Sequence, residues 1–176
     1  VKEVSTIYKE RVFLSFLLNS VPYFYETIGS IKSEHFDITE HERIFSLVYD
    51  HFTEFNEVPT LDILRLVASE KYDSTNTEKL SDALAEIEKV HVNYEKHYDW
   101  AIEKTDEWIR NNSMKLAIID SVDHLEKGDY QAIEENIRKA LLSGIKSDIG
   151  LVYFDKIKDR IERLKQFLRN RLKTGY

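Results

Sequence analysis

From Tyr94 to Lys127 the chain runs without a glycine or a proline. Six of the large apolar residues in this stretch, Tyr98, Ile102, Ile109, Leu116, Ile119 and Val122, are separated by four, seven, seven, three and three positions. Near-heptad spacing sustained this long predicts a long α-helix packed along another long helix. At 1.5 Å per residue it would extend about 50 Å. Gly128 suits the position just past its end, and Asp129 suits the N-cap of a following helix. That helix carries Tyr130, Ile133, Ile137, Leu141 and Leu142. The expected unit is an antiparallel helical hairpin closed by a tight turn. Trp100 lies about 200° around the helix from Tyr98, and Trp108 about 100° from Ile109. A bare two-helix hairpin cannot bury all these faces, so some must meet the rest of the chain, another subunit, or both. The residues expected to mediate self-association are Tyr98, Ile102, Trp108, Ile109, Leu116 and Ile119.

The residues before the hairpin also read as helices. With 5 Gly and 2 Pro in 176 residues, there is little punctuation for many short strands. Val4, Ile7, Val12, Phe13, Phe16 and Leu17 give residues 4–20 a broad apolar face. A short segment, Tyr23 to Ile28, follows Pro22. Thr39 and Glu42 have the spacing of a capping box, with Thr39 as N-cap. The helix they open carries Ile44, Phe45, Val48, Tyr49 and Phe52. Thr60 is a second N-cap candidate, ahead of Leu61, Leu64 and Val67. Lys71 to Thr77 is polar and turn-prone, and a further helix is expected from Glu78 to Val90. The predicted architecture is all-α. A helical head over 1–92 is followed by an oligomerisation hairpin over 93–145, a loop or hinge over 146–153 and a helix over 154–176.

That last segment is unlike the others. Phe154, Ile157, Ile161, Leu164 and Leu168 are spaced three, four, three and four, on one line of a helix. So thin a stripe suits a groove on a partner better than a core face of its own domain. Residues 154–173 hold eight basic and three acidic side chains, net +5. The whole chain is −7, so the remainder is −7 − 5 = −12. The acidic body is a poor match for broad phosphate-backbone binding. The basic face, Arg160, Arg163, Lys165, Arg169 and Arg171 among it, has two readings. It contacts nucleic acid or an acidic partner, or it is a solvated helix face.

No chemistry announces itself. The glycine-rich phosphate loops GxxxxGK[ST] and GxGxxG are absent, as is HExxH. The chain has no cysteine, which excludes disulfides and thiolate sites and fits a reducing cytoplasm. No apolar run approaches the ~20 residues of a membrane span. The six histidines, His35, His41, His51, His91, His97 and His124, read as surface residues. Glu88 and His91 match half of a di-iron Glu-x-x-His pattern, but no second copy accompanies them. Catalytic and metal-binding residues are therefore expected to be none.

The order of segments resembles replicative hexameric helicases of the DnaB family. Glu10-Arg11-Val12-Phe13-Leu14-Ser15-Phe16-Leu17-Leu18 resembles that family's first helix. His35-Phe36-Asp37, with His41-Glu42-Arg43-Ile44-Phe45-Ser46-Leu47-Val48, is similar to its F…H..IF..I pattern, and Phe55-Asn56-Glu57-Val58-Pro59-Thr60-Leu61-Asp62 to its G.PVD turn. The hairpin is similar to the one that drives N-terminal trimerisation there. The basic helix is similar to the linker helix that docks on the neighbouring motor. Lys173-Thr174-Gly175-Tyr176 resembles the entry to that motor, and the segment order is closest to phage helicases of the T-even type. The resemblance implies an N-terminal collar with its linker, cytoplasmic and without membrane contact. Its partners would be copies of itself (a trimer or hexamer of the parent), a helicase loader, a primase, and single-stranded DNA through the intact ring. It implies no cofactor in this part, since ATP and Mg belong to a motor domain that would follow. The alternative is an all-helical protein- or nucleic-acid-binding module with a basic C-terminal helix.

Overall fold

A computed structural model describes the backbone of residues 2–145 and side chains from residue 5 onward. It is all-helical, with no strand among the described residues. The helices are α1 (Lys2–Asn19), α2 (Val21–Thr27), α3 (Thr39–Phe55), α4 (Leu61–Lys71), α5 (Ser74–Glu88), α6 (Tyr98–Glu126) and α7 (Tyr130–Leu141). A single 3₁₀ turn (Ser33–His35) stands between α2 and α3. The sequence segment 154–176 lies outside the described residues.

Helix α1 is the centre of the head. Six consecutive residues, Val12 to Leu17, are buried, so it is covered on every side along this stretch. Around it pack α2 through Tyr23 and Phe24, α3 through Ile44, Phe45, Leu47 and Val48, and α5 through Leu80, Leu84 and Ile87, while α4 packs on α3 and α5 through Leu64 and Ala68. The first half of α6 joins the same core with Ala101, Ile102, Trp108 and Ile109. The expected border at 92/93 is thus not a packing border, since α6 starts inside the head and then leaves it. Only beyond this point does α6 run with α7 as a hairpin. At 29 residues, α6 is about 43 Å long.

Local signals set several ends as expected. The Thr60 side chain accepts from the Ile63 amide at 3.3 Å and caps α4. Gly128 (φ +71°) turns the hairpin. Its N–H donates to the Leu125 carbonyl at 3.1 Å and the Asp129 N–H to the His124 carbonyl at 2.9 Å, a Schellman closure. The Asp129 side chain then accepts from Ala132 N at 3.1 Å and caps α7.

Other ends differ from expectation, each for a physical reason. Thr39 does not cap α3. Ile38 holds the N-cap position without a side-chain bond. The preceding turn is held by Glu10 of α1, whose Oε1 accepts from Asp37 N at 2.8 Å. Helix α5 starts at Ser74, four residues before the expected Glu78. The Asp73 side chain accepts from Asn76 N at 3.0 Å, so the polar stretch is a capped first turn. Helix α6 starts at Tyr98 and not Tyr94, because Tyr94 folds back onto α1. Its ring meets Phe16 edge-on at 5.0 Å and its hydroxyl lies 2.7 Å from Ser15 Oγ.

Two histidines expected at the surface are buried, each only 2% exposed. His41 donates from Nδ1 to Oε2 of the fully buried Glu10 at 2.8 Å. Both Glu10 oxygens are thereby committed, one to α3 and one to the loop before it. His35 accepts from Lys32 N at Nδ1 (3.1 Å), so Nε2 carries the proton and donates to Ser113 Oγ of α6 at 3.1 Å. Asn112 donates to the His35 carbonyl at 2.7 Å, and Lys115 pairs with Asp37. The loop 32–38, with the first turn of α3, is therefore a clasp joining α1, α3 and α6.

Glu10→Ala would leave the Asp37 amide and His41 buried without their acceptor. It is expected to cost about 2–4 kcal/mol in urea unfolding. A loss below about 1 kcal/mol would remove the clasp from the account. His35 makes a second prediction. Burial, with Lys32 nearby, holds its pKa down at about 4. The unfolded chain, with a pKa near 6.5, therefore binds more protons than the folded one between these values. Stability is complete above pH 6.5 and falls by up to about 3 kcal/mol as pH drops to 4. His35→Gln should remove this slope, measured as the stability difference between the two proteins at pH 7 and pH 4.5.

Candidate association surface

Helix α6 changes role along its length. In its first half the inward face carries Ile102, Thr105, Trp108 and Ile109, all buried. The Trp108 ring sits 5.4 Å from Phe13, 4.9 Å from Phe36 and 5.8 Å from His35. Thr105 Oγ1 lies 2.5 Å from the hydroxyl of fully buried Tyr23, whose pKa burial drives far above its ordinary value. From Ile109 to Ile118 is nine residues, which at 100° each is half a turn. A second apolar stripe begins there, on the side away from the head. Ile118 is 55% exposed, Val122 53% and Leu125 58%.

Helix α7 continues this surface. Asn136, Ala140 and Ser143 line the side that closes a cleft of about 180 Å³ against Lys32, Glu34, Ser113 and Asp120. The opposite side carries exposed Tyr130 and Leu141, with half-buried Ile133 and Ile137 between them and the α6 seam. In an antiparallel pair these positions fall on the same side as Ile118, Val122 and Leu125. The distal hairpin thus presents one uncovered apolar face. Each large side chain withdrawn from water there is worth ~1.5–3 kcal/mol. A contiguous face of this kind marks an interaction surface. The segment that bears it is acidic: residues 118–141 contain Asp120, Asp123, Glu126, Asp129, Glu134 and Glu135 against Lys127, Arg138 and Lys139, net −6 + 3 = −3, with Asp120 turned to the cleft.

The six residues expected to mediate association divide on this geometry. Ile102, Trp108 and Ile109 are spent in the chain's own core. Tyr98 is half-buried, its hydroxyl donating to Glu26, and Leu116 lines the cleft beside Lys32. Ile119, 56% exposed, flanks the free face. Trp100 is 48% exposed at the other end of α6. The sequence reading missed Ile118 and Leu125. Their four-then-three spacing around Val122 was the available signal, but the phase fixed by Tyr98 and Ile102 hid it. The expected docking stripe Phe154, Ile157, Ile161, Leu164 and Leu168, with the basic Arg160, Arg163, Lys165, Arg169 and Arg171, lies outside the described residues.

The chain leaves the hairpin at a fixed point. Gly144, just ahead of the expected hinge over 146–153, is tied down. Asp106 Oδ1 accepts from Ile145 N at 2.7 Å while Oδ2 accepts from Arg110 Nε at 2.8 Å. Gly144 has φ +129°, and a Cβ there would sit 2.6 Å from Asp106 Oδ1. Ile145 itself is fully buried. The exit therefore lies against the first half of α6.

Elsewhere, a cleft of about 240 Å³ opens between Ile7, Arg11, Ile38, His41, Ala83 and Glu86. Arg11 pairs with Glu86 across it at 3.1 Å. Among the described residues no group of three or more His, Asp or Glu is placed to hold a metal ion. No helix among them is long and apolar enough to cross a membrane. No protein-family model matches the chain, and no curated protein is significantly similar to it in sequence.

Two substitutions separate the two halves of α6. Trp108→Ala should destabilise the fold by about 3–5 kcal/mol through a core cavity. Ile119→Ala should cost less than about 1 kcal/mol. Equal losses in urea unfolding would contradict the division.

Proposed function

We propose that the chain is the N-terminal collar and linker part of a replicative DNA helicase of the DnaB type. The observation that carries this reading is the order of its segments. A head with the helicase-like motifs around Glu10, His41 and Pro59 precedes a hairpin, and the hairpin precedes a basic amphipathic tail. The uncovered apolar face of the distal hairpin supports it, since collar hairpins must pair with their counterparts. So does the rigid clasp of head to α6, which lets a subunit contact made at the hairpin orient the head.

In this reading the head and hairpin do no chemistry. The hairpins associate into the collar, loader and primase bind there, and the tail stripe Phe154–Leu168 seats on the motor of an adjacent subunit. ATP and Mg belong to that motor, and single-stranded DNA to the assembled ring. The role is geometric: to fix ring spacing and carry partners.

The reading has a direct test. The coding sequence beyond Tyr176 is expected to continue, within some tens of residues, into a GxxxxGK[ST] loop. A polypeptide without a motor domain contradicts it. In the complete helicase, Ile161→Asp with Leu164→Asp should abolish ring assembly in analytical ultracentrifugation while the helical head stays folded. Unchanged rings would remove the tail from the assembly.

A further inference from the structure

The free face of the hairpin and the tail share two complementary properties. The hairpin segment 118–141 that bears the free face is net −3, and the segment 154–173, with the stripe Phe154, Ile157, Ile161, Leu164 and Leu168, is net +5. Ile118, Val122, Leu125, Tyr130 and Leu141 are all more than half exposed, with no described residue to cover them. Apolar surface on a segment of one net sign favours an apolar partner of the opposite sign.

The exit point puts that partner within reach. Ile145 is anchored by Asp106 in the first half of α6. The eight residues 146–153 can span at most about 26–29 Å. Phe154 can therefore be brought to the level of Ile118, 12 residues or about 18 Å along α6 from Asp106, without a second molecule. A tether this short also holds the tail at millimolar effective concentration, well above what a second copy reaches in dilute solution.

We propose that residues 154–173 dock on the acidic, apolar tip of the α6/α7 hairpin of their own molecule. The docked tail covers Ile118, Val122 and Leu125 and so masks the hairpin from other partners. Any larger partner that draws the tail away exposes the face, making association conditional on the tail being engaged elsewhere. This inference needs only the hairpin surface and the tail sequence and stands apart from the helicase reading. In a ring helicase the same contact would hold an unassembled subunit back from premature collar formation.

The chain has no cysteine, so one can be placed on the face as a reporter. Val122→Cys in the full 176-residue chain would be labelled with a water-soluble maleimide at neutral pH. The expected rate is roughly tenfold lower than in the same chain carrying Ile161→Asp and Leu164→Asp, a docking preference of ~1.4 kcal/mol. The protection should persist over a hundredfold dilution of protein and weaken in 1 M salt, where the screening length falls to about 3 Å. Glu107→Cys, exposed on the head-proximal half of α6, should label alike in both backgrounds. Intrinsic fluorescence, to which buried Trp108 contributes alongside half-exposed Trp100, together with unchanged helical circular dichroism, checks that the head is intact. Equal rates at Val122→Cys in the two backgrounds overturn the proposal. Protection that vanishes on dilution also overturns it, assigning the face to a second copy. Either failure leaves the helicase reading standing, because that reading is decided by the sequence beyond Tyr176.

Discussion

Trp108 is where the molecule is joined. Its ring meets Phe13 at a tilt and Phe36 and His35 edge-on, residues drawn from α1, the clasp loop and the 3₁₀ turn. An aromatic side chain of this size contributes more than any single polar bond nearby. Its position in the first half of α6 fixes that half to the head. Everything after it depends on this anchor. The distal half of α6 keeps its direction because the proximal half cannot turn, and α7 keeps its place because α6 does.

The polar groups around this joint set geometry more than they add stability. Glu10, fully buried, holds the loop before α3 and His41 at once. His35 and Asn112 then tie that loop to α6. Asp106 does the corresponding work at the other side of α6, receiving the Ile145 amide where the chain departs. Buried polar networks of this kind are costly when incomplete, so they tolerate one arrangement and penalise neighbouring ones. The head, the hairpin axis and the exit point are consequently one rigid frame. A contact made at the hairpin tip is felt at the head as orientation.

Much of this frame was legible in sequence because it is local. The apolar stripes of α3 and α4, the Thr60 cap and the Gly128-Asp129 turn are short-range signals, and each formed as read. What escaped was decided by distant partners. Thr39 has the spacing of an N-cap, but Glu10 from α1 organises the turn before it. His35 and His41 look like surface histidines until residues 78 and 31 positions away supply their partners. Tyr94 continues the helical pattern of α6, yet Phe16 and Ser15 pull it off the helix. The association surface was half legible. The periodicity of α6 gave its inward stripe, and the half-turn shift after Ile109 that creates the free stripe was masked by that stronger pattern. For the same reason Ile102, Trp108 and Ile109 were expected at an interface and serve in the core.

The central claim is that α6 is one helix with two roles, anchored up to about Asn112 and displayed beyond Ala117. Native-state hydrogen exchange on the 176-residue chain tests it most directly. Amides of residues 101–112 are expected to exchange only with global unfolding, together with those of α1. Amides of 120–126 should exchange through local opening, orders of magnitude faster. Uniform protection along the whole of α6 would contradict the account.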